Sequence, residues 1–385
     1  MQAFTRRKLA FLLQGVKFVK KIIWSILTFF LLLTGCSKEV VKVEEVKVET
    51  IETIETIIDS MSVEEKIAQM FIVRHPEANS IEIVKRYQPG GYIFFGRDFE
   101  NSTPELFKEK VDSYNTLSKI PMFMAVDEEG GNVVRISKYK EFRDEPFKSP
   151  SELYKDGGLG NIVKDTEEKA LLLKKIGINL NFAPVCDISI EQMDYMYHRS
   201  IGQNAEITSE YVKSVVKIMD KEKVGNVLKH FPGYGNNKDT HTGMAFDSRP
   251  YTEFLNKDYL PFKAGIDAGA GFVLVSHNVV QCIDPVMPAS LSIKVNNELR
   301  KVLDFNGIII TDDLEMQAIK KYADDKNAVI LAVKAGNDMI CCTNFEEQYS
   351  AVLNAVRSGE ITEERINESV RRILKYTMHL GLIGE

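Results

Sequence analysis

The sequence predicts an α/β fold, a single (β/α)8 barrel domain over residues 59–385. Short apolar runs recur eight times, amphipathic segments separate most of them, and chemically active side chains gather just after the runs. Near-continuous apolar strands are what a parallel sheet buried on both faces requires. Eight strand–helix alternations in one chain suggest closure into a barrel, with a doubly wound open sheet as the alternative. The 385-residue length suits one large barrel or two medium domains.

Ahead of the barrel, Arg6, Arg7, Lys8, Lys17, Lys20 and Lys21 form a basic region, followed by the almost wholly apolar run Ile22–Leu33. That run is too short to span a bilayer as a mature helix and suits the core of a signal peptide over residues 1–35. An ordinary signal peptide or an N-terminal anchor helix is the competing reading. The run ends at Leu33-Thr34-Gly35-Cys36, which resembles a lipobox. The resemblance implies lipidation of Cys36 and an extracytoplasmic, membrane-anchored protein, since multiple acylation anchors stably. Within residues 36–58, Lys38–Ile58 is a low-complexity mix of Glu, Lys, Val, Ile and Thr without Gly or Pro. Strand and helix are both compatible with it, but a charged tether fits best between an anchor and a globular body. A flexible chain of this size reaches roughly 25 Å.

From Ser60 the character changes. Ser62-Val63-Glu64-Glu65 reads as a capping box opening a helix. The eight expected strands are Met70–Val73, Gly91–Phe95, Met122–Val126, Ile178–Pro184, Val224–Phe231, Gly271–Ser276, Gly307–Thr311 and Asp338–Cys342. Helical patterns occupy Ser209–Lys221, Tyr251–Ala268 and Glu315–Lys334, and Glu346–Leu380 supplies closing helices rather than a further domain.

In such a barrel the chemistry sits at the C-terminal ends of the strands. The third run leads into Asp127-Glu128-Glu129-Gly130-Gly131, with Arg135 beyond. The fourth leads into a long loop with His198, Arg199 and Ser200. The fifth ends at Lys229-His230-Phe231-Pro232-Gly233, with Asp239-Thr240-His241 following. The sixth ends at Ser276-His277, the seventh at Thr311-Asp312-Asp313. Unpaired charges are costly to bury, so their repeated placement at one rim is hard to ascribe to packing.

Several of these residues have plainer readings. Asp313 suits a helix cap before Leu314–Ala318. Glu128 and Glu129 read as loop structure or secondary contacts. His277 stands equally as a core histidine. His230, Asp239 and His241 have the residue types of a metal site, but no further ligand cluster accompanies them, and no metal or other cofactor is expected. Gly130-Gly131 is not a phosphate loop, because no Gly-Lys-Ser/Thr follows. Five cysteines are few for a disulfide scaffold, and Cys341-Cys342 should pack as small apolar residues without bridging. A net charge of −6 argues against a nucleic-acid partner.

Pro121–Ile136 (PMFMAVDEEGGNVVRI), Lys229–His241 (KHFPGYGNNKDTH) and Ile310–Met316 (ITDDLEM) together resemble glycoside hydrolase family 3, specifically its β-N-acetylhexosaminidase branch. The resemblance runs from Ser60 to about Leu380. It implies a retaining mechanism through a covalent glycosyl-enzyme. Asp312 matches the nucleophile, His241 a histidine acid/base, and Asp239 its carboxylate partner. Asp127, Arg135, Arg199, Lys229 and His230 match sugar-binding positions. A His–Asp dyad can replace the usual carboxylic acid because imidazolium donates a proton near neutral pH. The chain departs from the family pattern at Tyr234, where the usual motif is Pro-Gly-His-Gly, at Asn132, which replaces a frequent arginine, and in a shorter stretch before Asp239.

The function so implied is an exo-acting β-N-acetylglucosaminidase on GlcNAc-terminated muropeptides or chito-oligosaccharides, touching the membrane only through its lipid anchor. A phosphorylase using the same site with phosphate in place of water is one alternative. A catalytically inactive, lipid-anchored sugar-binding protein is the other, and Asp312, Asp239 and His241 together disfavour it, since binding alone needs no nucleophile.

Overall fold

The computed structural model describes residues 53–383, apart from 238–242, 244, 321 and 324. The expectations for residues 1–35, Cys36, Asp239 and His241 lie outside the described residues. Residues 53–60 are helical, so the charged segment 36–58 ends in a helix. Ile57–Glu385 forms one compact unit.

Eight strands build the barrel: β1 (Phe71–Arg74), β2 (Gly91–Phe94), β3 (Phe123–Val126), β4 (Leu180–Asn181), β5 (Gly225–Phe231), β6 (Phe272–Val275), β7 (Ile308–Thr311) and β8 (Ile340–Cys342). All neighbours pair in parallel, in the order β8-β1-β2-β3-β4-β5-β6-β7. The ring closes between β7 and β8 through a single bridge, Ile310 to Met339. There Met339 N donates to Ile309 O at 3.1 Å and Thr311 N to Met339 O at 3.2 Å. Seven strands fall within an expected apolar run and β1 extends one residue past its run, to Arg74, and nearly every strand residue is buried, as a sheet covered on both faces demands.

The outer helices are α1 (Val63–Gln69), α2 (Ser80–Tyr87), α3 (Pro104–Leu117), α4 (Pro150–Lys175), α5 (Ala205–Lys221), α6 (Tyr259–Asp267), α7 (Asp325–Ala335), α8 (Phe345–Arg357) and α9 (Glu363–His379), with shorter turns between. Local chemistry sets their starts. Ser62 Oγ accepts from Glu65 N at 3.2 Å while Glu65 Oε2 accepts from Ser62 N at 2.9 Å, the reciprocal cap expected from the sequence. Ser149 and Glu152 repeat this at α4, and Asn204 caps α5, which therefore begins ahead of Ser209. The helical pattern over Tyr251–Ala268 is borne out as a continuous helix that widens to a π-helical segment at Phe254–Asp258. That over Glu315–Lys334 divides into a helical turn at Gln317–Lys320 and α7.

Carboxylates at the two barrel ends do different work. Asp338 lies just before β8, at the N-terminal end, fully buried. Its Oδ2 accepts from Ile309 N at 2.9 Å and from Arg300, and its Oδ1 from Arg372 Nη1 at 2.9 Å and Ser369 Oγ at 3.0 Å. It thereby ties the closing strand to the preceding strand and to α9. Polar side chains there read as stability, whereas those at the opposite rim are free to serve chemistry.

Candidate active site

At the C-terminal rim the strand ends surround a cavity of about 640 Å³, lined by Asp127, Arg135, Arg199, Lys229, His230, Asp312 and others. Every sequence-expected sugar-binding residue and the expected nucleophile thus meet in one place. The two members of the dyad, Asp239 and His241, are not among the described residues.

The loop after β3 organises one wall. Glu128 is fully buried and accepts from Arg135 N at 2.7 Å, Ile136 N at 2.8 Å and Ser137 N at 3.3 Å. Asn181 of β4 locks it further, its Oδ1 accepting from Glu128 N at 3.0 Å. Glu128 is therefore loop structure, as its sequence context suggests. Gly130 and Gly131 have φ of +106° and +61°. A Cβ on Gly130 would stand 2.2 Å from Lys148 O, and one on Gly131 2.6 Å from Ser149 Cβ, so only glycine fits this turn.

Glu129 is more than a loop residue. Its Oε1 accepts from Lys229 Nζ at 2.6 Å, and Arg199 holds it through both carboxylate oxygens. Lys229 Nζ also lies 2.7 Å from Asp127 Oδ1. Lys229 is only 2% exposed, which rules out a solvated surface charge and demands this pairing. Burial by itself would raise the Glu129 carboxyl, but the charges of Arg199 and Lys229 outweigh it and hold the group well below the usual carboxylate range. Burial likewise opposes the Arg199 charge, and Glu129 restores it. The result is a fixed row of charges with Asp127 offered as acceptor and Arg199 and Lys229 as donors, suited to hydroxyl groups of a sugar.

His230 is set by Asp187, a buried residue after β4. Asp187 Oδ2 lies 2.7 Å from His230 Nδ1 and accepts from His230 N at 3.1 Å, while Oδ1 accepts from Tyr234 N at 2.7 Å. Arg199 Nη2 donates toward His230 Nε2 at 3.2 Å, which requires the tautomer protonated on Nδ1. Both ring nitrogens are thus engaged by side chains, and the metal-ligand reading of His230 loses its lone pair. Tyr234, the departure from the family motif, is buried with Val185 and Met196 and stands edge-on to His230 at 5.5 Å. It packs against Tyr195, which lines the cavity.

Asp312 directly follows β7, lines the cavity, and its Oδ1 accepts from Asp313 N at 2.8 Å. Asp313 caps the turn at 314–316 rather than a helix, which begins only at Gln317, with Oδ1 accepting from Glu315 N at 3.0 Å and Oδ2 from Thr343 Oγ1 at 2.7 Å; burial pushes its carboxyl up. His277 is buried and bonds Ser290 Oγ at 2.8 Å and Asp313 O at 3.0 Å, so it supports the Asp312 loop rather than facing the cavity. His198 is exposed on its loop. The described cysteines are all free, Cys341 and Cys342 packed inside β8. Asp187, Tyr195, Arg74 and the central part played by Glu129 did not emerge from the sequence. A carboxylate three residues after the fourth apolar run was the available signal for Asp187.

The glycosyl hydrolase family 3 N-terminal domain matches residues 62–376. A beta-hexosaminidase of Nitrosomonas eutropha is 32% identical over 278 residues, covering 70% of this chain and 77% of its own. Among solved structures, a family 3 beta-N-acetylglucosaminidase from Paenibacillus sp. superposes with a TM-score of 0.78 at 26% identity, over 85% of this chain and 64% of that one. LpqI of M tuberculosis superposes with a TM-score of 0.76 at 25% identity, over 83% of this chain and 95% of that one.

Proposed function

From the premise that this chain belongs to glycosyl hydrolase family 3 and is a glycoside hydrolase, we propose that it removes terminal β-linked N-acetylglucosamine with retention of configuration. The observation that carries the reading is the position of Asp312, a carboxylate at a strand end within a cavity whose other wall is the fixed charge row of Asp127, Glu129, Arg199 and Lys229. Such a row suits one sugar held by its hydroxyl groups, and Asp312 supplies the nucleophile. Its carboxylate attacks the anomeric carbon as the glycosidic bond breaks, leaving a glycosyl-enzyme. In this reading His241, oriented by Asp239, protonates the departing oxygen and then takes a proton from the attacking water. The N-acetyl preference rests on the names of the relatives, and muramic acid as the sugar released rests on the proposed address outside the cytoplasm.

The test is turnover of an aryl β-N-acetylglucosaminide beside the aryl β-glucoside, with and without inorganic phosphate. Selective hydrolysis of the first, with β-configured product, is expected. Equal turnover of both sinks the N-acetyl preference, and phosphate-dependent release of a sugar phosphate would make the protein a phosphorylase.

The same proposal includes export and lipidation at Cys36, which the lipobox-like Leu33-Thr34-Gly35-Cys36 supports. Cys36→Ala should abolish labelling by a fatty-acid probe and release the protein from membranes; unchanged labelling would rule out that anchor.

A further inference from the structure

Arg74 ends β1 and Arg135 lies on the loop after β3, and both line the cavity. Their guanidinium carbons stand 4.5 Å and 5.6 Å from the centre of the same ring, Phe95. In each, Nε is buried and has no hydrogen-bond partner among the described residues, and neither guanidinium forms an ion pair with a described carboxylate. The cations elsewhere in the site are treated differently, Arg199 and Lys229 each being tied to Glu129. Stacking on Phe95 attracts each guanidinium, but it satisfies no N–H group and neutralises no charge. Two like charges drawn toward one ring repel, and burial of their donors adds to that cost. An oxyanion between them would answer both, because a guanidinium fork matches carboxylate or phosphate oxygens.

A second observation points the same way. Arg74 and Thr343 also line an adjoining recess of about 450 Å³, walled by Pro76, Ile83, Arg97 and Phe345. The cleft therefore extends past Arg74, beyond the space that one sugar needs.

We infer that a substrate of this site carries an oxyanion, and that Arg74 together with Arg135 reads it. The inference rests on the glycosidase reading for its choice of substrates but not for its geometry. The oxyanion has two sources: a carboxylate on the sugar released, or free phosphate entering as co-substrate.

The test compares Arg74→Met with the wild-type protein on two disaccharides, GlcNAc β-linked to muramic acid and the methyl ester of the same compound. Calorimetric titration with inorganic phosphate accompanies it, and circular dichroism verifies folding. If the oxyanion is a substrate carboxylate, the wild-type preference in kcat/KM for acid over ester should fall at least about tenfold in Arg74→Met. If it is phosphate, that preference stays and phosphate binding weakens at least about tenfold instead. A folded variant that changes neither would overturn the inference. A wild-type protein inert on every β-N-acetylglucosaminide sinks the glycosidase reading alone. Calorimetry with phosphate and with free muramic acid then decides whether Arg74 holds an oxyanion.

Discussion

Arg199 grips Glu129 with two parallel hydrogen bonds, Nη2 to Oε1 at 2.7 Å and Nε to Oε2 at 3.0 Å, and Lys229 adds a third at 2.6 Å. One buried carboxylate thus pairs with two cations, of which Lys229 also has Asp127 at 2.7 Å while Arg199 has Glu129 as its ion-pair partner among the described residues. Glu129→Gln leaves Arg199 without a carboxylate in a dry environment, and removing one partner of such a pair costs about 3–5 kcal/mol. The carboxyl is held below its ordinary value of 4.5, so its contribution is present above that pH and is lost as pH falls toward the folded-state value. Urea unfolding should show a large deficit for the variant near neutrality that narrows in acid. A deficit under about 1 kcal/mol at pH 7 would mean the cations do not depend on Glu129.

Asp187 has no contact with the cavity, yet it fixes the ring that does. It takes the Nδ1 proton of His230 and accepts from the backbone of His230 and Tyr234. In Asp187→Asn the amide keeps an acceptor for one backbone N–H but presents a donor to the other partners. His230 then loses both its orientation and its tautomer, and kcat/KM should drop about ten- to a hundredfold. Steady-state kinetics with a folding control decide it, and unchanged kcat/KM would remove Asp187 from the positioning role.

Asp258 gives a pH dependence of opposite sense. Burial raises its carboxyl to about 6 from an ordinary 3.8, although Arg249 at 3.0 Å opposes the shift. Between those values the folded protein binds a proton that the unfolded chain does not. Stability from this group is thus fully present below the unfolded value and lost as pH rises through about 6. The difference amounts to about 3 kcal/mol. Wild-type stability measured relative to Asp258→Asn should therefore fall between about pH 4 and pH 7. A flat difference across that window would contradict the raised value.

The barrel was legible because its evidence is periodic and local. All eight apolar runs contain strands, since a strand buried on both faces admits few polar residues. The helical pattern over Glu315–Lys334 hides a break at 322–323, because its apolar spacing continues across it. Lys229 and Asp312 were legible because each stands at the end of an apolar run and in a motif, whereas Arg199, in the long loop after the fourth run, was reached through the family resemblance. Glu129 and Asp187 were harder. Their importance comes from which cations or rings the barrel brings to them across 70 and 43 residues of sequence, and no local pattern records that. Arg74 carries the same lesson: in sequence it is one cation after a strand, and only the fold sets it over Phe95 beside Arg135.

The remaining prediction separates Asp312 from His241 by stereochemistry as well as rate. Asp312 stands at the end of β7 with its backbone N donating to Val275 O at 3.2 Å, so its place on the rim is fixed by the sheet. Asp312→Ala removes the nucleophile and with it the covalent route, and activity on every substrate should fall at least about a thousandfold. His241→Ala should spare the first step when the leaving group is a nitrophenolate, which needs no protonation, and slow the second, for which water needs a base. The glycosyl-enzyme then accumulates and appears as a burst. Azide distinguishes the two variants further. In His241→Ala it intercepts the glycosyl-enzyme, a second inversion that yields the β-glycosyl azide. In Asp312→Ala it attacks the anomeric carbon directly, a single inversion that yields the α-anomer. Nuclear magnetic resonance of the azide products reads the difference. A β-azide from Asp312→Ala, or residual activity within about tenfold of wild type, would remove Asp312 from the nucleophile's place. Loss of activity in His241→Ala on activated and natural substrates alike, with no burst and no azide product, would remove His241 as acid/base while leaving Asp312 untouched.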